Sequence, residues 1–102
     1  MRWMVAKHDI VSASPDQLST DLGNESVILE LQAGTYFGVN DVGTTIWNYL
    51  QQPRHVSDVI AHILNTYEVS ADQAETEILS FIQSLVDKNL VLVKGGETRQ
   101  NT

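Results

Sequence analysis

The 102-residue chain contains no cysteine, which removes disulfides, thiolate catalysis and cysteine-ligated zinc together. A reducing compartment suits such a chain, and the expected localisation is cytoplasmic. Basic residues are scarce: 6 Lys and Arg stand against 13 Asp and Glu, for a formal net charge of −7. A surface of that sign repels phosphate backbones at long range, so no nucleic acid is expected as a partner. Long apolar runs are missing too. No stretch approaches the roughly 20 apolar residues of a membrane span, and the opening MRWMVAKHDI lacks a run of signal-peptide length. No membrane partner is expected. Catalytic patterns are equally absent: there is no His-Glu-x-x-His, no glycine-rich phosphate loop and no serine in a nucleophile-elbow context. The histidines are His8, His55 and His62; Asp58 lies one helical turn before His62, the spacing of a surface pair. A metal site needs more ligands on one face than this. The expectation is a non-enzyme with no cofactor and no metal.

What remains is enough for one modest core, which sets the count at a single domain over residues 1–94 with a disordered polar tail over 95–102. The front third reads as strands. Residues 9–14 and 17–22 are short extended segments separated by Pro15 and Asp16, a turn pair. Residues 23–25, Gly-Asn-Glu, punctuate, and 26–32 follow with Val27, Leu29 and Leu31 alternating with Ile28, Glu30 and Gln32. Ala33 and Gly34 then turn the chain into TYFGV, so these two segments pair as a hairpin.

The rest is helical. Val42, Ile46, Tyr49 and Leu50 share a helix face that starts near Asp41, capped by Asn40 or Asp41, and Pro53 stops it. A second helix runs from about residue 56 to 67 on the stripe Val59, Ile60, Ile63 and Leu64. The third has the clearest start: Ser70 and Gln73 form a capping box, with Val69 and Ala74 spaced as a hydrophobic staple. It runs to about Lys88, and Asn89 is a left-handed stop. Residues 90–93, LVLV, are a short strand or a docking tail. The fold class is α+β: an N-terminal three-stranded antiparallel sheet followed by three helices, winged helix-turn-helix-like with the sheet moved to the front.

Residues 34–47, GTYFGVNDVGTTIW, carry a family resemblance. Gly34, Tyr36, Phe37, Val39 and Asn40 fit a Gly-x-Tyr-aromatic-x-aliphatic-Asn pattern, and Gly43, Ile46 and Trp47 fit the x-x-Gly-x-x-Ile-Trp that continues it. Leu85, Leu90 and Val91 fit a closing Leu-x-x-x-x-Leu-Val. From about residue 15 to 93 the chain resembles the PqqD family, the recognition elements that bind leader peptides of ribosomally made, post-translationally modified peptides. Asn89 stands where the family usually has glycine and His55 where a threonine cap is common; both departures affect helix ends. The resemblance implies a non-catalytic peptide chaperone. A leader segment adds as a strand to the sheet edge, lies against the third helix, and is presented to a modifying enzyme or a leader protease. Lasso-peptide and PQQ biosynthesis are both compatible with it.

The residues give a weaker reading in the same direction. TYFGV is short, aromatic and free of lysine and proline, so it lacks the usual protections of an edge strand and suits β-augmentation. The expected peptide-binding strand is Thr35, Tyr36, Phe37, Gly38 and Val39. Tyr36 and Phe37 point to opposite faces, one as a core plug and one as a groove wall, and the pattern leaves open which is which. On the third helix the inward stripe of Ala74, Ile78, Phe81, Ile82 and Leu85 is widened by Leu79 and Val86 beyond the ~100° of a surface helix. That extra width has either the LVLV segment or a leader as its partner. The expected opposite wall is Glu75, Leu79, Ile82 and Val86, with Glu75, Glu77 and Asp87 placed to attract basic leader residues.

Two rivals and a partner question accompany this reading. A winged-helix transcriptional regulator would read DNA with residues 71–88, yet that helix carries Asp72, Glu75, Glu77 and Asp87 against Lys88 alone. A protein–protein adaptor is the other. An open edge and a wide stripe can also pair two copies, giving a homodimer when no peptide is bound.

Overall fold

The computed structural model of the chain describes residues 4–23 and 25–94; the expected polar tail, 95–102, lies outside the described residues. The elements in order are β1 (Ile10–Ala13), β2 (Gln17–Asp21), β3 (Ser26–Glu30), β4 (Thr35–Val39), α1 (Asp41–Tyr49), β5 (Arg54–His55), α2 (Val56–Thr66), α3 (Ala71–Asp87) and β6 (Val91–Lys94). The class is α+β, with three helices and an antiparallel three-stranded sheet β2-β3-β4, here called the hairpin sheet.

One element departs from expectation. β1 does not join the strands that follow it; it is the centre of a second sheet, β5-β1-β6, here called the terminal sheet. Ile10 to Ala13 pair antiparallel with Lys94 to Val91, and Ile10 and Val11 with His55 and Arg54. The LVLV segment is thus a strand, and Arg54–His55 is a strand that the sequence pattern does not show. Two residues are too few for an alternation signal.

The termini of the elements follow local chemistry. Asn40 caps α1, its side-chain oxygen accepting from the Gly43 N–H at 2.9 Å, and Ser70 caps α3 by accepting from Gln73 at 3.2 Å. His55 supplies no side-chain cap to α2. Instead the carbonyls of Asp9 and Lys7 accept from the Val56 and Ser57 N–H groups at 2.9 and 3.0 Å, so the N-terminal segment satisfies donors that a threonine would otherwise take. Asn89 turns the chain out of α3 at φ 63°, and Gly34 turns the hairpin at φ 72°.

The core lies between the helices and the inner faces of both sheets. Trp47, Leu50, Ile28, Val11, Val56, Val59, Ile82, Leu85 and Leu90 are fully enclosed, each contributing on the order of 1.5–3 kcal/mol through burial. Gly43 sits where α1 meets β4 and α3: a Cβ there would lie 3.1 Å from both Phe81 Cζ and Val39 Cβ. On the hairpin sheet, β3 turns Ser26, Ile28 and Glu30 inward. Ser26 accepts from the Thr44 hydroxyl at 3.0 Å, and the Glu30 carboxylate accepts from the Gln32 and Ala33 N–H groups. The more apolar set of this strand, Val27 and Leu29, therefore faces away from the helices.

Candidate functional site

In the hairpin sheet β3 is central, so β2 and β4 are both edges. An edge strand carries a row of backbone donors and acceptors with no ladder partner. β4 packs beside α1 and its Phe37 reaches α3. Phe37 pairs with the buried Ile28 across the ladder, which puts its ring on the inner face. There it meets Phe81 of α3, with centroids 6.3 Å apart and planes tilted 43°. The Lys88 ammonium lies 5.7 Å from the Phe37 ring centroid, within cation–π range. Tyr36 points to the other face and is 74% exposed. The question left by alternation is answered against a division of labour: Phe37 is half-buried and turned to α3, while Tyr36 plugs no core.

Beyond Phe81 the surface opens into a pocket of about 260 Å³. It is lined by Val42, Gly43 and Ile46 from α1, Ile63 and Tyr67 from the end of α2, and Ala74, Glu77, Ile78 and Phe81 from α3, with Asn40, Val69 and Gln73 at its rim. Its floor is apolar. Its polar groups are already arranged: Gln73 Nε2 donates to Glu77 Oε2 at 3.1 Å, and the Tyr67 and Thr45 hydroxyls lie 2.7 Å apart. The pocket begins at Asn40, the residue after β4, and includes Phe81, the ring that Phe37 meets.

Glu77, Phe81 and Lys88 stand four and seven residues apart, one stripe of α3. The wall expected from sequence, Glu75, Leu79, Ile82 and Val86, occupies a different stripe. Ile82 is fully enclosed in the core and has no surface to offer. Glu75 pairs with Lys7 at 3.4 Å, and Leu79 lines a second, more open pocket of about 440 Å³ with Met4, Val5 and Gln83. Val86 packs half-buried against the core. Glu75 and Leu79 thus lie beside the N-terminal segment, and Ile82 and Val86 belong to the core and its margin. Asp87 accepts from Gln83 Nε2 at 3.1 Å. Of the groove residues that sequence reasoning passed over, Lys88 had a signal: it is the one basic residue of the third helix and lies seven positions after Phe81.

Among the described residues no group of three or more His, Asp or Glu is placed to hold a metal ion, and no helix is long and apolar enough to cross a membrane. His62 stacks face to face on Tyr49 with centroids 4.2 Å apart, and Arg54 covers the same ring at 4.0 Å; this cluster is remote in sequence from the groove stripe.

Residues 25–91, more than half of the chain, match the family described as coenzyme PQQ synthesis protein D, PqqD. The chain belongs to the PqqD family. Two solved structures resemble this PqqD-family chain in fold. One, "TbiB1 in Complex with the TbiA(beta) Leader Peptide", has a TM-score of 0.73 and 29% sequence identity, covering 88% of this chain and 99% of that one. The other, "Lasso peptide synthetase B1 complexed with the leader peptide", has a TM-score of 0.70 and 24% identity, covering 80% of this chain and 96% of that one. No curated protein sequence matches the chain significantly.

Proposed function

We propose that this chain is a non-catalytic recognition module that binds the leader of a ribosomally made precursor peptide and presents it to a modifying enzyme or leader protease. The observation that carries the reading is an open strand edge, Thr35–Val39, lying beside an apolar groove. A peptide added there gains backbone hydrogen bonds from β4 and side-chain contacts from Phe37, Phe81 and the pocket beyond. β2, the other edge, contributes no residue to this pocket. An antiparallel leader strand runs its N-terminal part past Asn40, where an apolar side chain enters the pocket between α1 and α3. Lys88 lies over the groove and favours an acidic or carbonyl-rich stretch of peptide, while Glu77 and Gln73 at the pocket rim favour a donor.

The membership in the PqqD family and the likeness to leader-peptide complexes support this reading. The three helices follow the hairpin sheet, and the acidic α3 is a poor surface for DNA. Without peptide, the same edge is free to pair with a second copy of β4.

The test is amide hydrogen exchange with and without the leader of the precursor encoded beside this chain's gene. Slowed exchange in β4 with no change in β2 is the expected result. Protection confined to β2, or none in either edge at saturating peptide, would sink the reading.

A further inference from the structure

The outer face of the hairpin sheet carries an apolar row that nothing in the proposed groove uses. Leu18, Leu29 and Tyr36 stand directly opposite one another across β2, β3 and β4. Leu18 is 61% exposed, Tyr36 74%, and Leu31, two residues beyond Leu29, 49%; Val27 and Leu29 are half-buried. Cross-strand neighbours of this kind normally mark the core side of a sheet, yet here the core side holds Ser26, Ile28 and Glu30.

The segment of sequence that builds this sheet has charges of one sign. From Asp9 to Pro53 the sequence contains no Lys, Arg or His, and six acidic residues: Asp9, Asp16, Asp21, Glu25, Glu30 and Asp41. Asp9 and Glu30 are buried. Asp16 and Glu25 are exposed and, by alternation, fall on the parity of Leu18 and Val27, at the margins of the row.

We propose that this face docks the enzyme that acts on the presented peptide, through a partner surface with an aliphatic or aromatic centre rimmed by lysine or arginine. The inference rests on the presentation reading for the partner's role. An apolar centre supplies the contact area and the acidic margin selects a basic rim. A second copy of this chain fits poorly, because face-to-face packing brings the Asp16 and Glu25 margins of two acidic molecules together. Geometry adds a reason for the enzyme in particular. A leader strand on β4 extends the sheet next to Tyr36, and alternate leader side chains emerge on this outer face. A partner seated on the row therefore touches both the module and the outward side of its peptide.

The experiment uses the purified modifying enzyme or leader protease encoded beside this chain's gene, and measures its association with the full chain in the absence of peptide. Leu18→Ser combined with Leu29→Thr is expected to weaken that association at least tenfold. Glu25→Lys is expected to weaken it several-fold and to flatten its salt dependence. Both variants should bind fluorescent leader within twofold of the unaltered chain. Unchanged enzyme affinity in the double variant, with a native thermal transition, overturns the proposal. So does a dimer of the unaltered chain that the double variant converts to monomer, which assigns the face to a second copy. If the double variant does not fold, Glu25→Lys decides: unchanged affinity with an unchanged salt slope overturns the proposal. Leader binding is read separately, so its failure strikes at presentation while the peptide-free measurement still judges the surface.

Discussion

α3 carries two apolar stripes whose fates differ. The stripe through Glu75, Leu79, Ile82 and Val86 is taken up by the chain itself at Ile82, which the core encloses, and at Glu75, which pairs with Lys7, while Leu79 borders a pocket shared with Met4 and Val5. The stripe through Glu77, Phe81 and Lys88 meets only the rim of β4 and an open pocket. Glu75, Leu79 and Val86 each stand two residues from a member of the second stripe, about 200° around the helix, while Ile82 stands one residue, about 100°, from Phe81. Excess apolar width on a helix thus says that a second partner exists; whether that partner is the chain's own N-terminal segment or another molecule depends on contacts far away in sequence.

The strongest way to break the comparison is to attack the covered stripe at its deepest point. Ile82→Ala should cost about 2–5 kcal/mol of stability in urea denaturation followed by tryptophan fluorescence, and any loss of leader affinity should track the unfolded fraction. Gly43→Val forces side-chain volume against Phe81 and Val39 and should cost about 1–3 kcal/mol, with weaker leader binding in the molecules that remain folded. Phe81→Ala sets the stripes directly against each other. It should lower leader affinity tenfold or more by fluorescence anisotropy, about 1.4 kcal/mol, whereas Leu79→Ala should leave affinity within twofold. The reverse ranking would return the peptide to the first stripe. Lys88→Glu removes the cation over Phe37 and should cost about 0.5–1 kcal/mol of stability in urea denaturation, with weaker binding of a leader whose facing stretch is acidic. Smallest of all, Glu75→Gln breaks an exposed pair with Lys7 and should change stability by less than about 0.5 kcal/mol and leader affinity not at all.

Much of the architecture was legible because it is written locally. Ser70 with Gln73, Asn40 before Asp41, and Asn89 after α3 mark helix ends by chemistry that needs no distant partner, and α1 and α3 fall where those signals put them. The hairpin of β3 and β4 was equally readable from Gly34 and the alternation around it. What the pattern did not contain was pairing across the length of the chain. β1 looks like the first strand of the hairpin sheet because it precedes it, yet its partners are residues 54–55 and 91–94. Nor did alternation reveal which face of β3 is inner: Ser26 and Glu30 are polar but turn inward because Thr44 and the backbone after Glu30 supply their hydrogen bonds. Ile82, expected on the groove wall, is enclosed in the core for the same reason. Helical periodicity ranks faces by apolarity and contains no information about where β4 lies.

The pairing of β1 with β6 also has a kinetic side. It joins residues 10–13 to 91–94, a closure across almost the whole chain, and contacts that distant are slow to form because loop entropy is lost before they give anything back. The hairpin sheet, built from neighbours in sequence, has no such wait. During synthesis the strand edge and its two aromatic residues can therefore take shape while the last strand is still unmade. α3 comes into place against them late, when the C-terminal strand clasps β1 and the carbonyls of Lys7 and Asp9 hold the start of α2.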